Sequence, residues 1–229
     1  MTERQQNLLK IIVEEHIDMA VPVSSALIVE KYFSDLSPAT IRNEMCELEE
    51  LGLICQPHTS AGRLPTLKGY EYYIKNFVKT NRTSNESPEN FHNLAKNFNG
   101  NREDVKNLAK ELAELSVEAI LVGFGDSDVY YTGIANLFRQ PEFFEPSRIF
   151  SLSDAIDNLD EAMHKTFQSI DIEPKIMTGK ASPFGEATAL IMVKLPIADG
   201  EIFLGILGPL RMNYNKNLGL ISELKKIIK

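Results

Sequence analysis

The segment LSPATIRNEMCELEELGLI, Leu36 to Ile54, admits few folds. Ser37 is a good helix N-cap and Pro38 suits the first helical position, where a missing N–H costs nothing. Ile41, Met45, Leu48 and Leu51 recur at helical spacing, which predicts one buried face. Thr40, Asn43, Glu44 and Glu47 are then expected to point outward, with Arg42 beside them. Gly52 supplies a stop, because it adopts positive φ cheaply. The helix therefore starts with neutral and basic hydrogen-bonding groups and ends in carboxylates. An apolar–polar–apolar ribbon, LICQPHTSAGRLPT (Leu53 to Thr66), follows at once and reads as a short hairpin with its tip near Gly62.

Two helices are expected before this one. Thr2 and Gln5 form a capping-box pattern, and Leu8, Leu9, Ile12, Val13, His16 and Ile17 line a helix ending before Pro22. Ser24 or Ser25 can cap a second helix through Ala26, Leu27, Val29 and Tyr32. Thr66 opens a fourth that carries Tyr70, Tyr73, Ile74, Phe77 and Val78. Three helices followed by a β-wing make the winged variant of the helix-turn-helix, in which the third helix enters the major groove N-terminus first. Its candidate DNA contacts are Ser37, Thr40, Arg42 and Asn43 on the helix and His58, Thr59, Ser60 and Arg63 on the wing. Lys68 follows the wing. Arg63, beside Gly62, suits insertion toward phosphate or the minor groove.

Charge bears on this unevenly. The chain's net charge is −8, which disfavours indiscriminate binding to polyanions. Residues 1–79 hold 8 Lys/Arg against 11 Asp/Glu, yet from Gly52 to Lys79 four cations face only Glu71, so the basic surface is local to the wing. The 229 residues contain two cysteines, Cys46 and Cys55, whose spacing is neither a zinc signature nor a disulfide framework. Reduced thiols and a cytoplasmic location are the expectation. No apolar run approaches the roughly 20 residues of a membrane span.

The remainder reads as a second domain. Residues 80–101 are rich in Asn, Ser and Gly, which suits a linker. Asp104 is expected to cap a helix with Leu108, Leu112 and Leu115 on one stripe, which reads either as a seam against a second subunit or as packing on its own domain. EAILVGF, SRIFSL, PKIMTG, ATALIMVKL and EIFLGILG read as strands, Asp154 to Ile170 as an amphipathic helix and Asn215 to Ile228 as a closing helix. The expected organisation is a DNA-binding domain over 1–79, a linker over 80–101 and an α/β domain over 102–229.

Enzymatic signatures are absent: no G-x-S-x-G, Walker loop, H-E-x-x-H or spaced Cys/His ligands occur. GFGDSD, Gly123 to Asp128, contains two aspartates that a cation would accept, but a solvated turn is the simpler reading. His16, His58, His92 and His164 have no partners nearby in sequence. Neither an enzyme nor a cofactor is expected.

The run from Leu36 to Ile74 resembles the DNA-binding domain of the heat-inducible transcription repressor (HrcA) family. Two downstream segments, GIANLFRQPEF (Gly133 to Phe143) and LGILGPLRMNY (Leu204 to Tyr214), are similar to further parts of the family. The resemblance implies an α+β protein with a winged helix-turn-helix and a C-terminal α/β GAF-like domain. It also implies a homodimeric repressor of chaperone genes on an inverted-repeat operator, with a chaperonin as partner. Family members are longer and carry a dimerising insert that this chain largely lacks, which leaves the Leu108–Leu115 stripe as the substitute seam. The alternative function is a winged-helix regulator gated by a small effector in the GAF-like domain.

Overall fold

The computed structural model describes residues 1–59, 61–79, 98–125, 128–159, 161–162, 170–198 and 200–228. They form two compact units, Met1–Val78 and Lys79–Lys229.

Hydroxyl caps start all four helices of the first unit. Thr2 opens α1 (Glu3–Met19) with a full capping box: Gln5 N donates to Thr2 Oγ1 at 3.2 Å, and Thr2 N to Gln5 Oε1 at 2.8 Å. Ser24 caps α2 (Ser25–Tyr32), Ser37 caps α3 (Pro38–Glu50) and Thr66 caps α4 (Leu67–Phe77). Leu8, Leu9, Ile12 and Val13 of α1 are completely buried, as are Ile28, Ile41 and Leu48. Burying each contributes about 1.5–3 kcal/mol. Tyr70 and Tyr73 of α4 close this core, and their hydroxyls reach His16 Nδ1 (2.6 Å) and Glu14 Oε1 (3.3 Å). Leu51, expected on the buried face of α3, is 44% exposed. It lies in the stop signal itself, where the chain is already turning.

That stop is a Schellman motif. Gly52, at φ +71°, donates to Glu49 O at 2.8 Å, and Leu53 N donates to Leu48 O at 3.0 Å. The chain then enters β1 (Ile54–Cys55), which pairs antiparallel with β2 (Leu64–Pro65). Val23 adds a bridge to Arg63, so the wing is anchored to the approach of α2.

The second unit is built on a five-stranded antiparallel sheet in the order β4-β3-β7-β6-β5. Its strands are β3 (Ala119–Gly123), β4 (Val129–Thr132), β5 (Lys175–Thr178), β6 (Thr188–Ile197) and β7 (Gly200–Pro209). Ala119, Leu121, Leu190, Met192 and Leu207 on one face pack with Leu137, Phe143, Leu152 and Phe184. The alternate residues Ile120, Val122, Ile191, Val193 and Ile206 are equally buried, so both faces are covered. The helices are α5 (Arg102–Ser116), α6 (Ile134–Phe138), α7 (Pro146–Asp157) and α8 (Tyr214–Ile227); α5 packs on β3, on β4 and against α8. The protein is thus α+β, with the GAF-like arrangement in its C-terminal unit.

Several sequence expectations require correction here. SRIFSL is helical, not a strand: Pro146 sets the first turn of α7, and Ile149, Leu152 and Ile156 follow at helical spacing. The helix expected over Asp154 to Ile170 therefore begins earlier and α7 stops at Asp157; residues 160 and 163–169 lie outside the described residues. The cap of α5 is Asn101, which accepts from Asp104 N at 3.0 Å, so Asp104 occupies the first turn. Most of the expected linker, 80–97, is outside the described residues.

Candidate nucleic-acid interface

The ends of α3 are treated differently by the fold. At its start, Thr40 N donates to Ser37 Oγ at 3.1 Å and the two hydroxyls lie 2.9 Å apart. One turn on, Arg42 and Asn43 are exposed, and neither side chain has a hydrogen bond or ion pair among the described residues. At the far end every carboxylate but Glu50 is engaged. Glu44, expected outside, is 6% exposed and pairs with Arg4; Glu47 accepts from Gln5; Glu49 pairs with Arg63. Glu50 apart, the carboxylates of the helix are engaged within the fold, while Arg42 and Asn43 are left free.

The wing stands beside that front. His58 and Thr59 are exposed at its tip, and Ser60 lies outside the described residues. A cleft of about 430 Å³ opens between α3 and the wing, lined by Arg42, Met45 and Thr59 and by Ser24 and Ser25 at the start of α2. The sequence singled out these two serines only as caps. Their place in the cleft depends on how α2 meets the wing, which no local pattern encodes.

Two candidates change role. Arg63 does not project from the wing: it is 8% exposed, and its guanidinium reaches Glu49 Oε2 at 2.9 Å. Its side chain turns toward α3 and lines the cleft there, and it does not extend from the wing into solvent. Lys68 is exposed, but its Nζ donates to Leu51 O at 2.8 Å, at the C-terminal end of α3. There a cation satisfies an orphan carbonyl and the helix dipole.

Of the two readings of the leucine stripe, packing on its own domain is the one that holds for Leu108 and Leu112. Leu108 and Leu112 are buried to 1% and 0% within their own unit, and Leu115 is half-buried. The stripe packs on the sheet. Asp128, weighed as a cation ligand, pairs with Arg102 (Nη2 to Oδ1, 2.6 Å); Asp126 lies outside the described residues. Among the described residues, no three His, Cys, Asp or Glu cluster as metal ligands. His92 and His164 fall outside them.

In the second unit the two downstream segments meet. Arg211 Nε lies 2.5 Å from Glu142 Oε1, and its guanidinium also donates to Gln140 Oε1. Beside them Glu118 is 5% exposed, and its Oε2 finds no hydrogen bond among the described residues. Gly208 makes room for it, since a Cβ there would sit 2.4 Å from Glu118 Oε2. Burial pushes the Glu118 carboxyl up to about 8; Glu142 adds to the rise, while Arg211 and Lys216 oppose it.

Known proteins resemble this chain in sequence and in fold. A chain of 84 residues here is 49% identical to the heat-inducible transcription repressor HrcA of Chloroflexus aggregans, covering 37% of this chain and 22% of that protein. The HrcA of Ureaplasma parvum is 44% identical over 110 residues, 48% of this chain and 31% of its own length. The chain thus matches less than a third of the length of either relative. The crystal structure of a hypothetical protein at 2.2 Å resolution has the same fold, with a TM-score of 0.78 at 17% identity over 99% of this chain and 97% of that one. Finally, the family model for the HrcA protein C terminal domain matches residues 73–218, taking in both segments that converge on Glu118. With that match covering well over half of its residues, the chain belongs to the HrcA family.

Proposed function

We propose that this protein is a sequence-specific DNA-binding repressor. One observation carries the reading: Arg42 and Asn43 stand free toward the front of α3, while Glu44, Glu47 and Glu49 behind them are engaged within the fold. Arg suits guanine O6/N7 and Asn suits adenine N6/N7 in the major groove. Ser37 and Thr40 flank these base readers, and His58, Thr59 and Ser60 meet the backbone from the wing. Lys68 takes part through its two remaining N–H donors.

A single winged helix reads few base pairs, so the working form is a homodimer on an inverted repeat, with recognition helices a whole number of turns apart. The finer reading is negative control of chaperone genes in the cytoplasm, relieved on heating and sustained by a chaperonin. The name shared by the relatives, heat-inducible transcription repressor, supports it. The test is to select duplexes from a random pool with the purified protein and footprint the winners at two temperatures. Recovery of no inverted repeat would remove the reading.

A second reading, effector gating, is favoured by a cavity of about 450 Å³ over Phe143, Phe184 and Thr188 with Arg148 at its rim. A metabolite that raises the melting temperature by several degrees would support it.

A further inference from the structure

The residues that join the wing to α3 form a closed frame. Glu49, on the last turn of α3, accepts from Gln56 N through Oε1 at 3.0 Å and meets Arg63 through Oε2 at 2.9 Å. Gln56 follows β1 and Arg63 precedes β2, so one carboxylate holds both strands of the wing. The Gln56 side chain then spans the loop, donating from Nε2 to Thr59 O at 2.9 Å and to Ala61 O at 3.1 Å. On the other side, Arg63 exchanges two backbone hydrogen bonds with Val23, at 2.8 and 2.9 Å. The backbone below the tip is held on both sides, and His58 and Thr59 at the tip face outward.

We propose that Glu49, Gln56 and Arg63 are positioning residues that set the pose of the wing against the recognition helix, and through it the wing's grip on DNA, without touching DNA. This rests on the DNA-binding reading above. The Glu49 side chain keeps 34% exposure, so solvent screens the ion pair and its direct contribution to stability is small. Its effect is directional. A wing released from Glu49 stays attached through Val23 but loses its angle to α3, and His58 and Thr59 no longer meet the backbone while Arg42 and Asn43 reach bases. Such a frame also explains why an arginine in a DNA-binding wing is buried: it orients the neighbours that make the contact.

The test uses the full chain and a duplex that the wild-type protein selects from a random pool. Hydroxyl-radical footprints and circular dichroism melts are compared for wild type, Glu49→Ala, Glu49→Gln and Gln56→Ala, at a temperature where all four are folded. Glu49→Gln keeps one acceptor, enough for one of the two partners, and loses the charge that pairs with Arg63. Glu49→Ala and Gln56→Ala are expected to lose wing-side protection and roughly tenfold in affinity while keeping the protection due to α3. Glu49→Gln, with one of the two contacts left, is expected to fall between wild type and Glu49→Ala in both readouts. Full wing protection in Glu49→Ala overturns the proposal, and so does equal loss of both protections in step with a lowered melt. Failure of the wild type to select any duplex instead refutes the DNA-binding reading itself.

Discussion

Arg211 and Glu142 are 69 positions apart in sequence, yet their side chains meet at 2.5 Å and tie α8's approach to the short helical turn after α6. Arg211 is the cation of a mostly buried group that includes Glu118, Glu142 and Gln140. Arg211→Met leaves two carboxyls without it. Breaking a buried pair costs about 3–5 kcal/mol. The 14% and 20% exposure of these side chains places the loss at the lower end. Urea unfolding should show a lower midpoint with an unchanged slope.

Glu118 makes the stability of the C-terminal unit depend on pH. Its carboxyl is raised from 4.5 to about 8 by burial, so the folded state binds a proton that the unfolded state has already released. Stability is therefore greatest below about pH 4.5 as far as this group is concerned, and falls as pH rises toward 8. The slope approaches about 1.4 kcal/mol per pH unit inside that window. Glu118→Gln, isosteric and neutral, should flatten the decline. Urea midpoints at pH 5, 6.5 and 8 for both proteins check this, and parallel curves would show that another group sets the slope.

On α3, Asn43→Ala should abolish preference for the selected duplex and leave weak general binding and the melt nearly unchanged, because its side chain is exposed. Ile41→Ala should do the opposite. It opens a cavity at a fully buried position, costs about 2–5 kcal/mol and unfolds the domain before any base contact is affected. Thermal melts paired with binding to selected and scrambled duplexes separate the two faces.

His58→Lys adds a full charge at the exposed wing tip. If the tip meets phosphate, the dependence of log K on log salt should steepen by about 0.9. An unchanged slope from titrations at several salt concentrations would place the tip away from the backbone.

Local chemistry was the legible part of this sequence. Thr2, Ser37 and Thr66 each announce a helix through a side chain that reaches only three residues ahead, and Gly52 announces an end in the same way. What escaped depends on residues far apart in the chain. The Leu108–Leu112 stripe reveals that one face is covered, but its periodicity is the same whether a sheet or a second subunit covers it. Arg63 next to Gly62 looks like a free wing cation until Glu49 is placed opposite it. SRIFSL is too short for periodicity alone to tell a strand from a helix, and Pro146 at the first turn decides for the helix. Asn101 was lost in an Asn- and Gly-rich stretch whose composition suggests a linker, although Asn is among the best caps.

The backbone of Gly62 runs so close to Val23 that a Cβ would lie 2.3 Å from the Val23 carbonyl oxygen. Any side chain there must push the wing off its anchor. The loop between Gln56 and Ala61, by contrast, is held mainly through main-chain oxygens, which every residue type possesses. The wing is thus divided into a base that tolerates almost no change and a tip whose chemistry can vary without disturbing its support. Substitution at positions 58 and 59 can change what the tip presents while the same scaffold is inherited, so divergence among related chains should concentrate there and spare position 62.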